Sequence, residues 1–138
     1  MDCDDAHTFE GVHCSVSVRA LEPRILLVRI SGRDVGELGD RSMLAAERLM
    51  PKDDKAELFI DARAALGPSI EVSAAWAQWL AKRRSSFSCI SMLTGSKFVQ
   101  LTADFVRRWA DLNGLMRIYT DATAFETALC IALADRRD

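Results

Sequence analysis

The sequence predicts one α/β domain, a mixed and mostly parallel five-stranded sheet with four helices. Three observations predict it. Residues 24–30, 56–61 and 87–93 are short, apolar-rich runs of the kind that become strands covered on both faces. The segments between them are longer and carry apolar residues at helical spacing, so an amphipathic helix bridges each pair of strands, as a parallel sheet requires. Val12 to Arg19 alternates instead, with Val12, Cys14, Val16 and Val18 on one side, which marks a half-solvated strand.

The elements follow in order. Ala20-Leu21-Glu22-Pro23 turns the alternating strand back onto the apolar run Arg24 to Ile30, making an opening hairpin. Ser31-Gly32 breaks that run. A first helix then starts either at Asp34, where Asp34 and Glu37 have the spacing of a capping box, or at Asp40, and Pro51 ends it. After the strand at 56–61 comes a loop with Gly67-Pro68-Ser69. Val72, Ala75, Trp76, Trp79 and Leu80 then share one face of a second helix, which stops near Lys82-Arg83-Arg84. Beyond the strand at 87–93 and Thr94-Gly95-Ser96, a third helix presents Phe98, Leu101, Thr102, Phe105, Trp109 and Leu112 on its apolar face. Asn113-Gly114 caps it, Leu115 to Tyr119 is the last strand, and Asp121 opens a fourth helix with Phe125, Ala128, Leu129, Ala132 and Leu133 facing inward.

With 138 residues, 49% of them hydrophobic and 28% charged, the chain has the size and composition of a single folded domain; residues 1–10 read as a mobile tail and 11–138 as the domain. A formal net charge of -2 supplies no general attraction to phosphate backbones, so nucleic acid is not an expected partner. No apolar run is long enough to span a bilayer, and the acidic start from Asp2 to Asp5 is unlike a signal peptide, so a cytoplasmic location is expected. The cysteines, Cys3, Cys14, Cys89 and Cys130, form no CxxC pair; Cys3 reads as an exposed thiol and the other three as buried ones.

The strand and helix order, the strand Leu58-Phe59-Ile60-Asp61, the helix from Val72 to Arg84 and the stretch Ile118-Tyr119-Thr120-Asp121-Ala122-Thr123-Ala124-Phe125 resemble the SpoIIAA-like superfamily. That group holds the STAS domains of bacterial signalling and relatives of the lipid-binding CRAL-TRIO domain. The resemblance covers roughly Val12 to Leu133 and implies the fold, a signalling partner or an apolar ligand, and no cofactor. Signalling members carry an Asp-Ser-Ser/Thr-Gly phosphorylation motif at the start of the helix after the third strand; here that region reads Gly67-Pro68-Ser69-Ile70-Glu71-Val72-Ser73, and the motif is absent.

Ligands of open α/β sheets collect beyond the carboxyl ends of the strands. That rim would hold Asp61, Arg63, Ser69, Thr94, Gly95, Ser96 and Lys97. The Thr94 to Lys97 turn has backbone N–H groups and a lysine suited to an anion, and Ser96 is equally suited to capping the helix. Asp61 and Arg63 can bind a polar ligand or pair with each other. Trp76 and Trp79, on the inward helical face, belong to the core or line an apolar cavity. Asp2, Cys3, Asp4, Asp5, His7, His13 and Cys14 are metal-ligand side chains near one another in sequence, but their spacing matches no zinc site. Lys82 to Arg84 and Arg107-Arg108 fit helix ends and solvated faces. With both histidines near the N-terminus and no nucleophile or phosphate-loop motif, the sequence predicts a non-enzymatic module that docks a protein partner, with a binder of an apolar small molecule as the alternative and a homodimer as a further expectation.

Overall fold

The order of the parallel strands decides which face each helix covers. The computed structural model describes residues 6–135; residues 1–5, with the acidic start and Cys3, lie outside them. The described chain forms β1 (Ala6–Glu10), β2 (Cys14–Glu22), β3 (Ile25–Gly32), α1 (Arg41–Leu49), β4 (Ala56–Ala65), α2 (Ile70–Lys82), a 3-10 turn (Arg84–Ser86), β5 (Phe87–Thr94), α3 (Lys97–Trp109), β6 (Met116–Tyr119) and α4 (Ala122–Ala134). The six strands stand in sequence order. β1, β2 and β3 are antiparallel, and β3 through β6 are parallel.

Because each parallel strand is added on the same side of the last, crossovers of one hand lay α1, α2 and α3 on one face. There Leu26, Val28, Leu58, Ile60 and Ile90 pack with Met43, Ala46, Ala77, Trp79, Leu80, Ala103 and Val106 in one core. Among the described elements, α4 alone covers the other face. Its Phe125 meets Phe59 and Tyr119 edge to face, with ring centroids 5.8 and 5.9 Å away, over Ile25, Leu27 and Leu93.

The sheet has six strands where five were expected, because Ala6–Glu10, placed by the sequence reading in the tail, pairs with β2 from Ala6↔Arg19 to Glu10↔Ser15. Glu37 holds the connecting turn: its carboxylate accepts from the backbone N–H of Val12 at 3.1 Å and of His13 at 2.8 Å. These two bonds hold it below the ordinary carboxylate range against the opposing effect of desolvation, the His13 bond acting most strongly. The capping-box carboxylate therefore serves the hairpin, and α1 begins at the later of the two expected starts.

Three further expectations are corrected. Large side chains of α3 do not face the core: Val99, Ala103, Val106 and Ala110 do, while Phe98, Leu101, Phe105 and Trp109 point outward. The small residues Ala103 and Ala110 let the helix lie close to the sheet, which the aromatic arc would not allow. α3 also ends before Asn113-Gly114, at Trp109, and the chain turns at Asp111, whose left-handed φ of 57° is braced by Arg84 bonding its carbonyl at 3.1 Å and its carboxylate at 2.8 Å. Of the cysteines expected to be buried, Cys14 is, Cys89 is half-buried, and Cys130 is exposed on the outer side of α4.

α1 and α2 are joined by one carboxylate. Glu47 accepts from Trp79 Nε1 at 2.7 Å and from Arg83 Nε at 2.9 Å, and these donors, Trp79 foremost, hold it below its ordinary value despite partial burial. A depressed carboxylate stabilises the fold above its unfolded value and ceases to do so as pH falls through the folded one. Glu47→Gln is expected to cost on the order of 1–2 kcal/mol at pH 7, the scale of a charge-assisted hydrogen bond, with the deficit shrinking below about pH 4.5. Urea unfolding of both proteins at pH 7 and pH 3 checks it; an equal deficit at both values contradicts it.

Candidate functional site

The strand-end rim is occupied by the protein's own contacts. Asp61 is nearly fully buried within β4, which runs on past the expected end at residue 61, and there Arg63 Nε donates to its two oxygens at 3.0 and 3.2 Å and the Arg63 backbone N–H adds a bond of 3.2 Å. Arg63 also reaches Glu126 of α4 at 2.8 Å, and Arg29 approaches Asp61 at 3.8 Å. These carboxylates, Asp61 before Glu126, push the Arg63 guanidinium further up, so it stays charged. The pair thus ties the sheet to α4.

The remaining rim residues serve the backbone. Ser69 caps α2 by accepting from Val72 N–H at 3.2 Å, and Ser96 caps α3 by accepting from Val99 N–H at 3.2 Å. Thr94 is buried and donates to the Tyr119 carbonyl at 3.3 Å, bracing β5 on β6. Gly95 lies so close to the Arg63 carbonyl that a Cβ would collide with it. Lys97 is exposed at the first position of α3. Ser69, Thr94, Gly95, Ser96 and Lys97 thus stand at strand ends and helix starts, while Asp61 and Arg63 lie within β4 and pair toward α4.

The two tryptophans part company. Trp79 is buried, with its N–H on Glu47 and its ring against Phe87 at 5.8 Å. Trp76, edge-on to Trp79 at 5.7 Å, is half-buried and lines a cavity between α2, α3 and the sheet. That cavity measures about 70 Å³. A single water needs only roughly 10–15 Å³, but it also needs two or more polar partners, and an apolar space of this kind stays dry. Val72, Trp76 and Leu80 wall it from α2, and Val99, Ala103 and Val106 from α3, over a floor of Ile30, Ile60, Ala62, Met92 and Met116. Where it nears the rim, Phe98 lies against Gly67, whose φ of 111° and lack of a side chain make room for the ring.

The sequence reading missed the α3 contribution to this cavity. Val99, Ala103 and Val106 repeat at i, i+4 and i+7, a second apolar arc beside the aromatic one, and that spacing was the available signal.

The other candidates disperse. Among the described residues no group of three or more His, Cys, Asp or Glu side chains can hold a metal ion, and the Asp2 to Asp5 part of that set lies outside them. Burial first, then Asp34 and Glu37, pushes the Cys14 thiol up from 9.0 to about 11, so it stays protonated and unreactive. Arg83 is held by Glu47, Arg84 by Asp111, and Arg107 and Arg108 by Asp104. No described helix is long and apolar enough to cross a membrane.

No protein-family profile matches the sequence, and no curated protein matches it significantly. One solved structure does match: an uncharacterized protein of the DUF3478 family with a SpoIIAA-like fold from Shewanella loihica PV-4. The TM-score is 0.59 and the identity 13%, over 88% of this chain and 98% of that one. At that identity the likeness is one of backbone architecture. By its strand order, its helix placement and this match, the chain has a SpoIIAA-like α/β fold.

Proposed function

We propose that this chain is a non-enzymatic binding module, acting in the cytoplasm, whose site is the apolar cavity between α2, α3 and the sheet and whose ligand is an apolar small molecule. The observation that carries this reading is the cavity itself, walled by aliphatic and aromatic side chains. Burying each methylene there gains about 0.8 kcal/mol, and a dry cavity offers no ordered water to displace. The polar side chains of the rim are spent on caps and ion pairs, which supports binding over catalysis.

At about 70 Å³ the space takes the end of a chain. Titration with 1-octanol, followed by the methyl resonances of the methionines, is expected to move Met92 and Met116 saturably and to leave Met43 and Met50 unmoved. Ala103→Leu, which fills the space from α3, is expected to abolish both shifts. Shifts that reach Met43 and Met50 as well, or shifts that survive the filled cavity, would contradict the reading.

A second reading is a protein-interaction module of the bacterial signalling type, and one observation favours it. Phe98, Leu101, Phe105 and Trp109 are each 52–60% exposed along a single side of α3. Such a row approaches the few hundred Å² of exposed apolar surface that marks interaction sites. A partner protein or a second copy docking there would lose affinity at least about tenfold with Phe105→Glu. Ile131→Glu, on the distant α4, is expected to leave it unchanged. Sedimentation of the chain alone and with captured candidates checks both, and equal behaviour of the two variants would count against α3 as the surface.

A further inference from the structure

The outward row on α3 has a charged border. Phe98, Leu101, Phe105 and Trp109 are exposed along it, and Phe98 lies against Gly67, so the exposed Leu66 and Ile70 on either side of that glycine carry the apolar surface onto the start of α2. Lys97 and Arg108 are three helical turns apart and therefore stand on one side of the row. At 1.5 Å per residue the row and the separation of these two cations both span about 16 Å. The surface is a strip of apolar side chains with a cation near each end.

The charge around this strip is one-sided. Residues 66–112 hold six Lys and Arg against three acids, Glu71, Asp104 and Asp111, a net +3 in a chain whose net charge is -2. Arg83 and Arg84 are neutralised by Glu47 and Asp111. Asp104 alone serves both Arg107 and Arg108, which leaves one of their charges uncompensated, and Lys82 and Lys97 stand exposed. Phe, Leu and Trp side chains bordered by lysine and arginine suit the headgroup region of a bilayer, where the rings sink about 5–10 Å and the cations meet lipid phosphates. A second copy fits this strip worse: pairing two rows antiparallel sets Lys97 of each copy beside Arg108 of the other, like charge against like.

Taking the row on which the second reading rests, and committing it to lipid in place of protein, we infer that α3 docks the chain on the surface of an anionic bilayer. Phe98, Leu101, Phe105 and Trp109 enter the headgroup region, Leu66 and Ile70 widen the contact, and Lys97 and Arg108 hold lipid phosphates. The contact is peripheral, and it does not depend on the cavity holding a ligand.

Cosedimentation with vesicles of phosphatidylcholine alone, and of phosphatidylcholine with about 30% phosphatidylglycerol, tests it. Partitioning is expected to be at least about tenfold stronger on the anionic vesicles, and to fall as salt rises from about 0.1 to 0.5 M. Phe105→Glu and Lys97→Glu, both surface changes, are each expected to weaken it at least about tenfold, and Ile131→Glu on α4 to leave it unchanged. Lipids brominated near the headgroup are expected to quench tryptophan fluorescence of the native chain and far less that of Trp109→Phe, since Trp79 is buried and Trp76 half-buried against the core. Binding that ignores phosphatidylglycerol, or that Phe105→Glu leaves intact, would overturn the lipid docking. Anionic vesicles that stay bare while Phe105→Glu dissociates a dimer or a partner complex would overturn it too and leave the protein reading standing. The cavity reading is tested apart from these outcomes, by the 1-octanol titration.

Discussion

The arrangement depends on one constraint: four parallel strands added in a single direction, each return crossing with the same hand. That sends three helices to one face of the sheet and leaves the other to α4. The crowded face must fit α1, α2 and α3 side by side over six strands, and α3 settles close through Val99, Ala103 and Val106. Small side chains bring a helix near the sheet but do not fill the seam beside it. The cavity next to Trp76 follows from that choice, as does the outward turn of Phe98, Leu101, Phe105 and Trp109, which no longer have room inside.

Much of the fold was legible because its signals are local. Continuous apolar runs such as Leu26-Leu27-Val28 and Leu58-Phe59-Ile60 need cover on both faces, and only helices at the intervening spacing supply it. β1 was not legible for the opposite reason. Ala6–Glu10 is a short edge strand whose turn is fixed by Glu37, more than twenty residues away, and no local pattern announces such a bond. α3 presented two apolar arcs, and the larger residues suggested the wrong one. Burial there was decided by how near the helix could come to the sheet, a tertiary matter that overrides side-chain size.

The site was legible in location more than in role. Ser69, Thr94, Gly95 and Ser96 stand at strand ends and helix starts and Asp61 and Arg63 lie within β4, yet each is committed to a cap, a carbonyl or an ion pair. Trp76 lines the cavity and Trp79 does not, its N–H being claimed by Glu47 across the helix pair. Asp34 looked like half of a capping box; in the structure it is buried and its Oδ1 accepts from Gly36 N–H in the loop before α1.

The proposed binding role rests on an apolar, accessible space between α2, α3 and the sheet. Xenon is apolar, carries no head group and enters such spaces without choosing among chemistries. In a crystal of the protein equilibrated under xenon pressure, the account predicts one strong anomalous peak bounded by Val72, Trp76, Met92 and Val99. A seam that admits no xenon, or one filled by ordered waters hydrogen-bonded to its walls, would contradict it.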